Sequence, residues 1–217
     1  MEIGGEPEGG VFMKRRRILL TALLLFIAPV PTLAEEPFPV FASDPDKVDY
    51  KFRRREVAFK TDEPPGTVVV DTQRFFLYFV LPAGRAIRYG IGVGRTGTRW
   101  SGVAIIARKA EWPKWTPTAD MLERHVNYAQ WKDGMPGGPD NPLGARAMYL
   151  LNDGKDNQFR IHGTPVATTI GQATTSGCFR MFNIDVIDLY NRVSVGTRVV
   201  VLPRVASKRT SLFGPLE

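Results

Sequence analysis

The sequence predicts a mainly β fold, a sandwich or barrel with one or two short helices and a long loop near the functional site. Short runs of β-branched and aromatic residues recur about every 8 to 12 residues and are separated by Gly and Pro, a spacing typical of all-β domains. The runs do not alternate with helical patterns, as they would in a βαβ protein. At 217 residues, 43% of them hydrophobic, the chain is long enough for one domain with its own core.

In chain order, the predicted strands cover residues 67–70, 74–80, 86–93, 102–107, 147–151, 159–162 and 197–202. A short helix is predicted to begin near Thr116 or Thr118, either of which can cap it. A second helix is predicted to have Asn183 as its N-cap and one apolar face, formed by Val186, Ile187, Tyr190 and Val193.

A long segment, Trp112 to Pro142, separates the two groups of strands and ends in a stretch rich in Gly and Pro at 134–142. Long loops often border functional sites. Two interpretations of this segment stay open, a lid over the site and a plain structural loop.

The first 34 residues have the order of a secretory signal peptide. A basic cluster from Lys14 to Arg17 precedes an apolar run at 18–28, and small residues follow up to Ala34. The run is shorter than the roughly 20 residues of a spanning helix, so we predict cleavage before Glu35, with an uncleaved membrane anchor as the alternative. A signal usually begins with its basic cluster, which favours Met13 as the true start. We therefore expect a periplasmic protein that meets the membrane only through this segment.

The remaining chain divides into an extended lead-in at 35–65, a folded domain at 66–203 and a basic tail at 204–217. A net charge of +7 and a pI near 9.7 fit a polyanionic partner such as nucleic acid, anionic lipid or an acidic polymer. The basic residues are scattered and form no recognisable nucleic-acid module, so nucleic acid is not a predicted partner.

The chain has a single cysteine, Cys178, which cannot form an internal disulfide. Cys178, His125 and His162 are the soft metal ligands of the chain. No two of them have the short spacing of paired metal ligands. We therefore predict no metal site. The alternative to a functional thiol is an inert, buried cysteine that acts as a small hydrophobe.

Both candidate reactive side chains lie between residues 161 and 181. His162, at a strand end, is the candidate base for Cys178, the candidate nucleophile. Because the imidazole and Arg180 both favour a thiolate, we expect an accessible thiol of low pKa. Gly177 lets the backbone approach a substrate carbonyl, so the amides of Gly177 and Cys178 could stabilise an oxyanion. The carbonyl of Gly163 can bind the other imidazole nitrogen and set the tautomer.

Here the sequence resembles the L,D-transpeptidase family, also called the YkuD or ErfK/YbiS/YcfS/YnhG domain. The resemblance is carried by His162-Gly163-Thr164, Ile170-Gly171 and the run Thr175-Ser176-Gly177-Cys178-Phe179-Arg180-Met181. It extends upstream to the glycine-rich run at 89–95 and covers about 66–203, which it identifies as the catalytic domain of an L,D-transpeptidase-type β-sandwich or barrel.

The chain departs from the family pattern in three places. Thr175 replaces the serine of the motif and keeps a hydroxyl, and Ser176 replaces the second histidine of the common Ser-His-Gly-Cys form. The Thr-Pro-x-Gly that usually follows the glycine-rich strand is replaced by Arg99-Trp100-Ser101-Gly102. These departures concern substrate details rather than the reaction.

The resemblance implies that Cys178 attacks an L-to-D-centred peptide bond in a peptidoglycan tetrapeptide stem, expels D-alanine and forms a thioester. Transfer to a diaminopimelate amine would give a 3→3 cross-link. The alternatives are attachment of an outer-membrane protein, hydrolysis as an L,D-carboxypeptidase and, outside enzymes, a cell-wall-binding module. Thr175, Ser176 and Arg180 would line the oxyanion or substrate site. No cofactor is implied, and carbapenems would be expected to acylate Cys178.

Overall fold

The computed structural model describes residues 1, 35–40, 49–95, 100–124 and 126–203. Apart from Met1, the predicted signal peptide and the proposed start at Met13 lie outside these residues, as do Arg99, His125 and the tail at 204–217. Within the described ranges, no helix has the length and apolar character needed to span a membrane.

The described residues contain short strands, two α-helices and several 3-10 turns. The strands are β1 (Arg55–Ala58), β2 (Val68–Asp71), β3 (Phe76–Leu81), β4 (Arg85–Gly90), β5 (Val93–Gly94), β6 (Gly102–Glu111), β7 (Arg146–Asn152), β8 (Lys155–His162), β9 (Ala173–Thr175), β10 (Phe179–Arg180) and β11 (Arg198–Val201). The helices are α1 (Ala119–Arg124) and α2 (Asn183–Arg192), and 3-10 turns lie at Tyr50–Phe52, Val126–Trp131 and Ala167–Thr169.

Nine strands form one mixed sheet in the order β1-β4-β3-β2-β11-β6-β7-β8-β10, and β5 pairs separately with β9. Most neighbours are antiparallel, but β2 with β11, β8 with β10 and β5 with β9 run parallel. The prediction of a mainly β fold is confirmed. The strand β10, which follows the cysteine, stands at one end of this order.

The predicted strand at 86–93 is interrupted because the chain meets β10 between β4 and β5. Gly92 and Arg180 exchange two backbone hydrogen bonds, each 2.9 Å long. A Cβ at Gly92 would lie 2.6 Å from the carbonyl oxygen of Thr169, so the close approach requires glycine. Since β4 lies near one end of the strand order and β10 at the other, these bonds curl the sheet around its core.

The core is a cluster of buried side chains from both groups of strands and from α2. Its largest members include Leu77, Tyr89, Met148 and Phe179 from the sheet, with Leu189 from α2. Removal of this apolar surface from water, at roughly 25 cal/mol per Å², is the main stabilising contribution. Of the predicted apolar face of α2, Val186 and Val193 are buried, whereas Ile187 and Tyr190 are only partly so.

The starts of the two helices differ in how they are capped. As predicted, Thr118 caps α1, and its hydroxyl accepts the N–H of Met121 at 3.3 Å. The prediction that Asn183 caps α2 is wrong, because Asn183 is the first helical residue and Phe182 is the N-cap, without a side-chain hydrogen bond. Instead, Oδ1 of Asn183 accepts the N–H of Ala145 at 3.0 Å, which ties α2 to the residue before β7.

The lead-in contains more regular structure than the extended segment that the sequence predicts. Its strand β1 pairs antiparallel with β4 along Arg55–Ala58. The guanidinium of Arg54 lies 3.1 Å from the carboxylate of Asp188 on α2, and the hydroxyl of Tyr89 on β4 donates to the same carboxylate at 2.6 Å. From residue 49 onward, the lead-in is therefore attached to the domain.

Candidate active site

Two neighbouring parallel strands carry the candidate reactive residues. In the pairing of β8 with β10, Phe179 is opposite Ile161 and Arg180 is opposite His162. Phe179 and Ile161 are buried in the core. Because side chains alternate along a strand and paired residues share a face, His162 and Arg180 point away from the core. Cys178 directly precedes β10, at the residue before Phe179.

His162 is almost fully buried, with 4% of its surface exposed. Its Nδ1 lies 2.6 Å from the carbonyl oxygen of Gly163. A carbonyl only accepts, so Nδ1 carries the proton and donates it, and Nε2 keeps a lone pair. The hydrogen bond that the sequence predicts is therefore present. Burial lowers the pKa of His162 to about 4, so the imidazole is neutral at neutral pH. The hydrogen bond to Gly163 raises this pKa, and the charges of Arg180 and Arg160 lower it further.

Cys178 is partly exposed, and its Sγ lies 3.9 Å from the carbonyl oxygen of Gln158. Burial raises the pKa of the thiol, although the backbone amide of Arg160 and the charges of Arg160 and Arg180 favour the thiolate. The expectation of a low-pKa thiol is wrong for the free protein. These pKa shifts favour a protonated thiol and a neutral imidazole over a thiolate and an imidazolium.

The turn that leads into Cys178 is closed by Thr175, which is buried. Its hydroxyl donates to the carbonyl of Cys178 at 2.7 Å and accepts the N–H of Gly177 at 3.1 Å. Gly177 has a φ of 144°, a conformation that favours glycine. The replacement of the motif serine by Thr175 therefore keeps both hydrogen bonds. Ser176, at the tip of the turn, is exposed.

Arg180 lies between two cavities. One, of about 120 Å³, is polar and is lined in part by Arg95, Arg124 and Ser176. The other, of about 430 Å³, is more apolar and is lined in part by Trp115, Trp131 and Val166. Both are lined by Arg180 and Tyr128. Within the residues that the structure describes, the buried Nε of Arg180 has no hydrogen-bond partner.

The chain from Trp112 to Ala145, which connects β6 to β7, is called the excursion below. It contains the segment for which the sequence left a lid and a structural loop open. Several residues that line the two cavities come from it, among them Trp115, Met121, Tyr128, Trp131 and Met135. The excursion therefore forms one wall of the two cavities beside Arg180, neither of which is lined by His162 or Cys178.

Three residues near the site were not singled out from the sequence. Arg160 precedes His162 by two positions in β8 and shares its face, so strand alternation could have identified it. Tyr128 lies in the excursion, where no sequence period places a side chain. Arg95 belongs to the glycine-rich run, but only the fold brings it to the cavity that Arg180 lines. Among the described residues, no three His, Cys, Asp or Glu side chains are grouped to hold a metal ion.

Comparison with known proteins agrees with the motifs. The family model described as YkuD, L,D-transpeptidase catalytic domain, matches residues 65–201. The probable L,D-transpeptidase ErfK/SrfK of Escherichia coli (strain K12) is 33% identical over 151 residues, which cover 68% of this chain and 47% of that protein. The putative L,D-transpeptidase YqjB of Bacillus subtilis (strain 168) is 29% identical over 187 residues, 85% of each chain. The chain spans about half the length of the first of these curated relatives.

A crystal structure of a protein from Brucella melitensis, described as a probable carnitine operon oxidoreductase, is 51% identical, with a TM-score of 0.50, and covers 73% of this chain and 99% of that one. A likeness in fold does not carry that activity to this chain. The family model matches well over half of the 217 residues and includes His162, Gly177, Cys178 and Arg180. The chain therefore belongs to the L,D-transpeptidase catalytic domain (YkuD) family.

Proposed function

We propose that the protein is a periplasmic cysteine L,D-transpeptidase that acts on peptidoglycan stem peptides, with Cys178 as nucleophile and His162 as base. The observation that supports this most is the hydrogen bond from Nδ1 of His162 to the carbonyl of Gly163. It leaves the lone pair of Nε2 to accept a proton, on the strand whose Gln158 carbonyl oxygen lies 3.9 Å from Sγ of Cys178. Gly163 is thus the residue that sets the tautomer.

In the first step, Nε2 of His162 takes the thiol proton as Sγ of Cys178 attacks the carbonyl at the L-to-D-centred bond of a tetrapeptide stem. The new C–S bond forms a tetrahedral oxyanion, and the C–N bond to D-alanine then breaks. His162 returns the proton to the leaving amine, so D-alanine departs and a thioester remains. Because the thiol and the imidazole both start neutral, the proton moves as attack occurs, not before substrate binds.

The oxyanion needs a donor close to Cys178. The amide of Gly177 already donates to the hydroxyl of Thr175. The amide of Cys178 has no acceptor among the described residues, so we assign to it the stabilisation of the oxyanion. Thr175 would act by holding the turn that aims this amide. Ser176 lines the polar cavity and would contact the substrate there.

In the second step, an amine takes the acyl group from Cys178, and His162 again accepts and returns the proton. Stem peptides that contain diaminopimelate carry carboxylates, and guanidinium groups bind carboxylates through paired hydrogen bonds. The polar cavity is lined by Arg95, Arg124 and Arg180 and by the single carboxylate of Asp120, which pairs with Arg124, so its excess of positive charge suits such a carboxylate. A diaminopimelate side-chain amine is therefore the proposed acceptor, and the product is a 3→3 cross-link. The excursion would act as a lid over the bound stem.

Mass spectrometry of purified muropeptides after incubation with the protein tests this function. The wild type should form a 3→3 cross-linked dimer with loss of D-alanine and an acyl adduct on Cys178, and the Cys178→Ala variant should form neither. Tripeptides without dimers would indicate a carboxypeptidase, and transfer only to a protein amine would indicate attachment of an outer-membrane protein. Binding to sacculi that survives Cys178→Ala, without turnover by the wild type, would contradict the enzyme and indicate a wall-binding module.

A further inference from the structure

The segment at 36–40 packs on the catalytic domain. Glu36, Phe38 and Val40 are half-buried, and the residues between them are exposed. This alternation is that of an extended segment with one face against the domain. The carboxylate of Glu36 forms a two-point ion pair with the guanidinium of Arg146, with one contact at 3.0 Å. The same carboxylate accepts the indole N–H of Trp112 at 2.8 Å.

The two partners of Glu36 lie at opposite ends of the excursion. Trp112 is its first residue, and Arg146 directly follows its last, so the two positions form its neck. The backbone N–H of Trp112 donates to the carbonyl of Ala145 at 2.8 Å, which holds the two chains together. Glu36 adds a bridge across the neck through side chains alone.

The bridge has the features of a strong interaction. Arg146 is 5% exposed, so its charge needs a partner within the protein. The ring of Phe38 packs edge-on against Trp112, with centroids 4.9 Å apart. Partial burial opposes ionisation of Glu36, but the hydrogen bonds from Arg146 and Trp112 lower its pKa overall. The segment is therefore held by a charge pair and a ring contact.

The neck is also connected to the base. The carbonyl of Arg146 accepts the backbone N–H of Gly163 at 3.0 Å, and the carbonyl of Gly163 accepts Nδ1–H of His162. Beyond the neck, Trp115 and Trp131 of the excursion line the larger cavity. A change in the neck would thus reach the substrate wall directly, and the base through one backbone hydrogen bond and the side-chain hydrogen bond of His162.

We propose that Glu36–Phe38 forms an N-terminal clasp across the neck of the excursion, and that Glu36 is a positioning residue that sets the substrate wall of the site. The effect on turnover rests on the proposed function; the clasp itself does not. Cleavage before Glu35, as the sequence predicts, would place the clasp at the start of the mature chain.

The test compares Glu36→Gln in the full chain with Glu35→Gln, the same change at the exposed neighbouring position. Hydrogen exchange at the Trp112 amide should accelerate about tenfold in Glu36→Gln, because the neutral amide cannot keep the two-point ion pair with Arg146, and should not change in Glu35→Gln. The KM for muropeptide should rise about three- to tenfold with kcat within a factor of about two, since the wall moves and the nucleophile does not. Alkylation of Cys178 by iodoacetamide should stay unchanged.

Trp112→Phe keeps the ring against Phe38 but removes the indole donor, and should loosen the neck less than Glu36→Gln. Combined with Glu36→Gln it should add less than the sum of the two, because both weaken the same bridge. Unchanged exchange at Trp112 in Glu36→Gln, or equal acceleration in Glu35→Gln, would overturn the clasp. If the wild type forms no acyl-enzyme while exchange still responds to Glu36→Gln, the proposed function fails and the clasp stands.

Discussion

The two walls of the site are built differently. The sheet wall consists of β8 and β10, held by backbone pairing to each other and, through β7, to the rest of the sheet. The excursion wall contains α1 and a 3-10 turn at Val126–Trp131, neither of which has a buried residue. Its internal order depends on contacts such as the buried Asn141, whose amide donates to the carbonyl of Pro113 at 3.0 Å. The candidate reactive residues thus lie on or beside paired strands, whereas the cavity lining from the excursion comes from elements without buried residues.

The largest effect is expected from breaking the sheet wall at His162. His162→Asn places an amide nitrogen at the position of Nδ1, so it can still donate to the Gly163 carbonyl. It lacks the basic nitrogen, so acylation of Cys178 should slow by about 10³-fold. Intact-protein mass spectrometry with a carbapenem or a muropeptide measures the rate. The control is the thermal midpoint, which should change little. A variant that folds and acylates at near wild-type rate would show that His162 is not the base.

Helix α2 is joined to Ala145, the residue before Arg146 of the neck, by the hydrogen bond to Asn183. This helix offers a test of stability. Burial raises the pKa of Asp185 to about 6, and Asp188 adds to the effect while Arg54 opposes it. In the unfolded state Asp185 loses its proton from about pH 4 upward, whereas in the folded state it keeps the proton up to about pH 6. Asp185 therefore lowers the free energy of unfolding increasingly between pH 4 and pH 6, and by its full amount above pH 6.

Asp185→Asn should accordingly raise the free energy of unfolding above pH 6 by about 1–3 kcal/mol, with the gain vanishing toward pH 4. Urea unfolding at several pH values measures this. Asp188→Asn is the matched control on the same helix. Burial opposes ionisation of Asp188, but bonds from Arg192 and Tyr89 lower its pKa, so this variant should destabilise the protein at neutral pH. A loss of stability in both variants would show that Asp185 is favourably paired.

A smaller effect is expected from the excursion wall. Trp131 is partly buried and lines the larger cavity, whereas its neighbour Gln130 is exposed. Trp131→Ala should raise KM for muropeptide about tenfold with little change in kcat, because it removes a substrate contact and no reacting group. Gln130→Ala should leave both constants unchanged. A loss confined to kcat would mean that the excursion takes part in the chemistry, against the division between the two walls.

The finest distinction concerns the charge state of the thiol. Because burial raises the pKa of Cys178, the rate of its alkylation by iodoacetamide should climb with pH to a midpoint above the ordinary thiol value of 9.0. Arg160→Gln should move the midpoint higher still, since the charge of Arg160 favours the thiolate. A plateau near neutral pH would instead indicate a preformed thiolate and imidazolium.

Much of the fold and of the candidate site could be predicted because the signals are local. The strands follow from their own periods, and Thr118 could be identified because a cap contacts residues in its own helix. The contact of His162 with Gly163 joins adjacent residues and depends little on the rest of the chain. The misassigned role of Asn183 has the opposite cause: its carboxamide bonds Ala145, 38 positions away, and no local pattern records that partner.

By itself, the sequence determined the mainly β class and the family, and it singled out one thiol and one imidazole as candidate reactive groups, since each depends on residue type and short spacing. The tertiary structure alone decided that β10 runs parallel to β8, that Arg160 and Arg95 border the site, and that Glu36 bridges Trp112 to Arg146. It also reversed the expected thiol pKa. That value depends on how much water surrounds Sγ and which charges face it, and both are set by packing between segments distant in the chain.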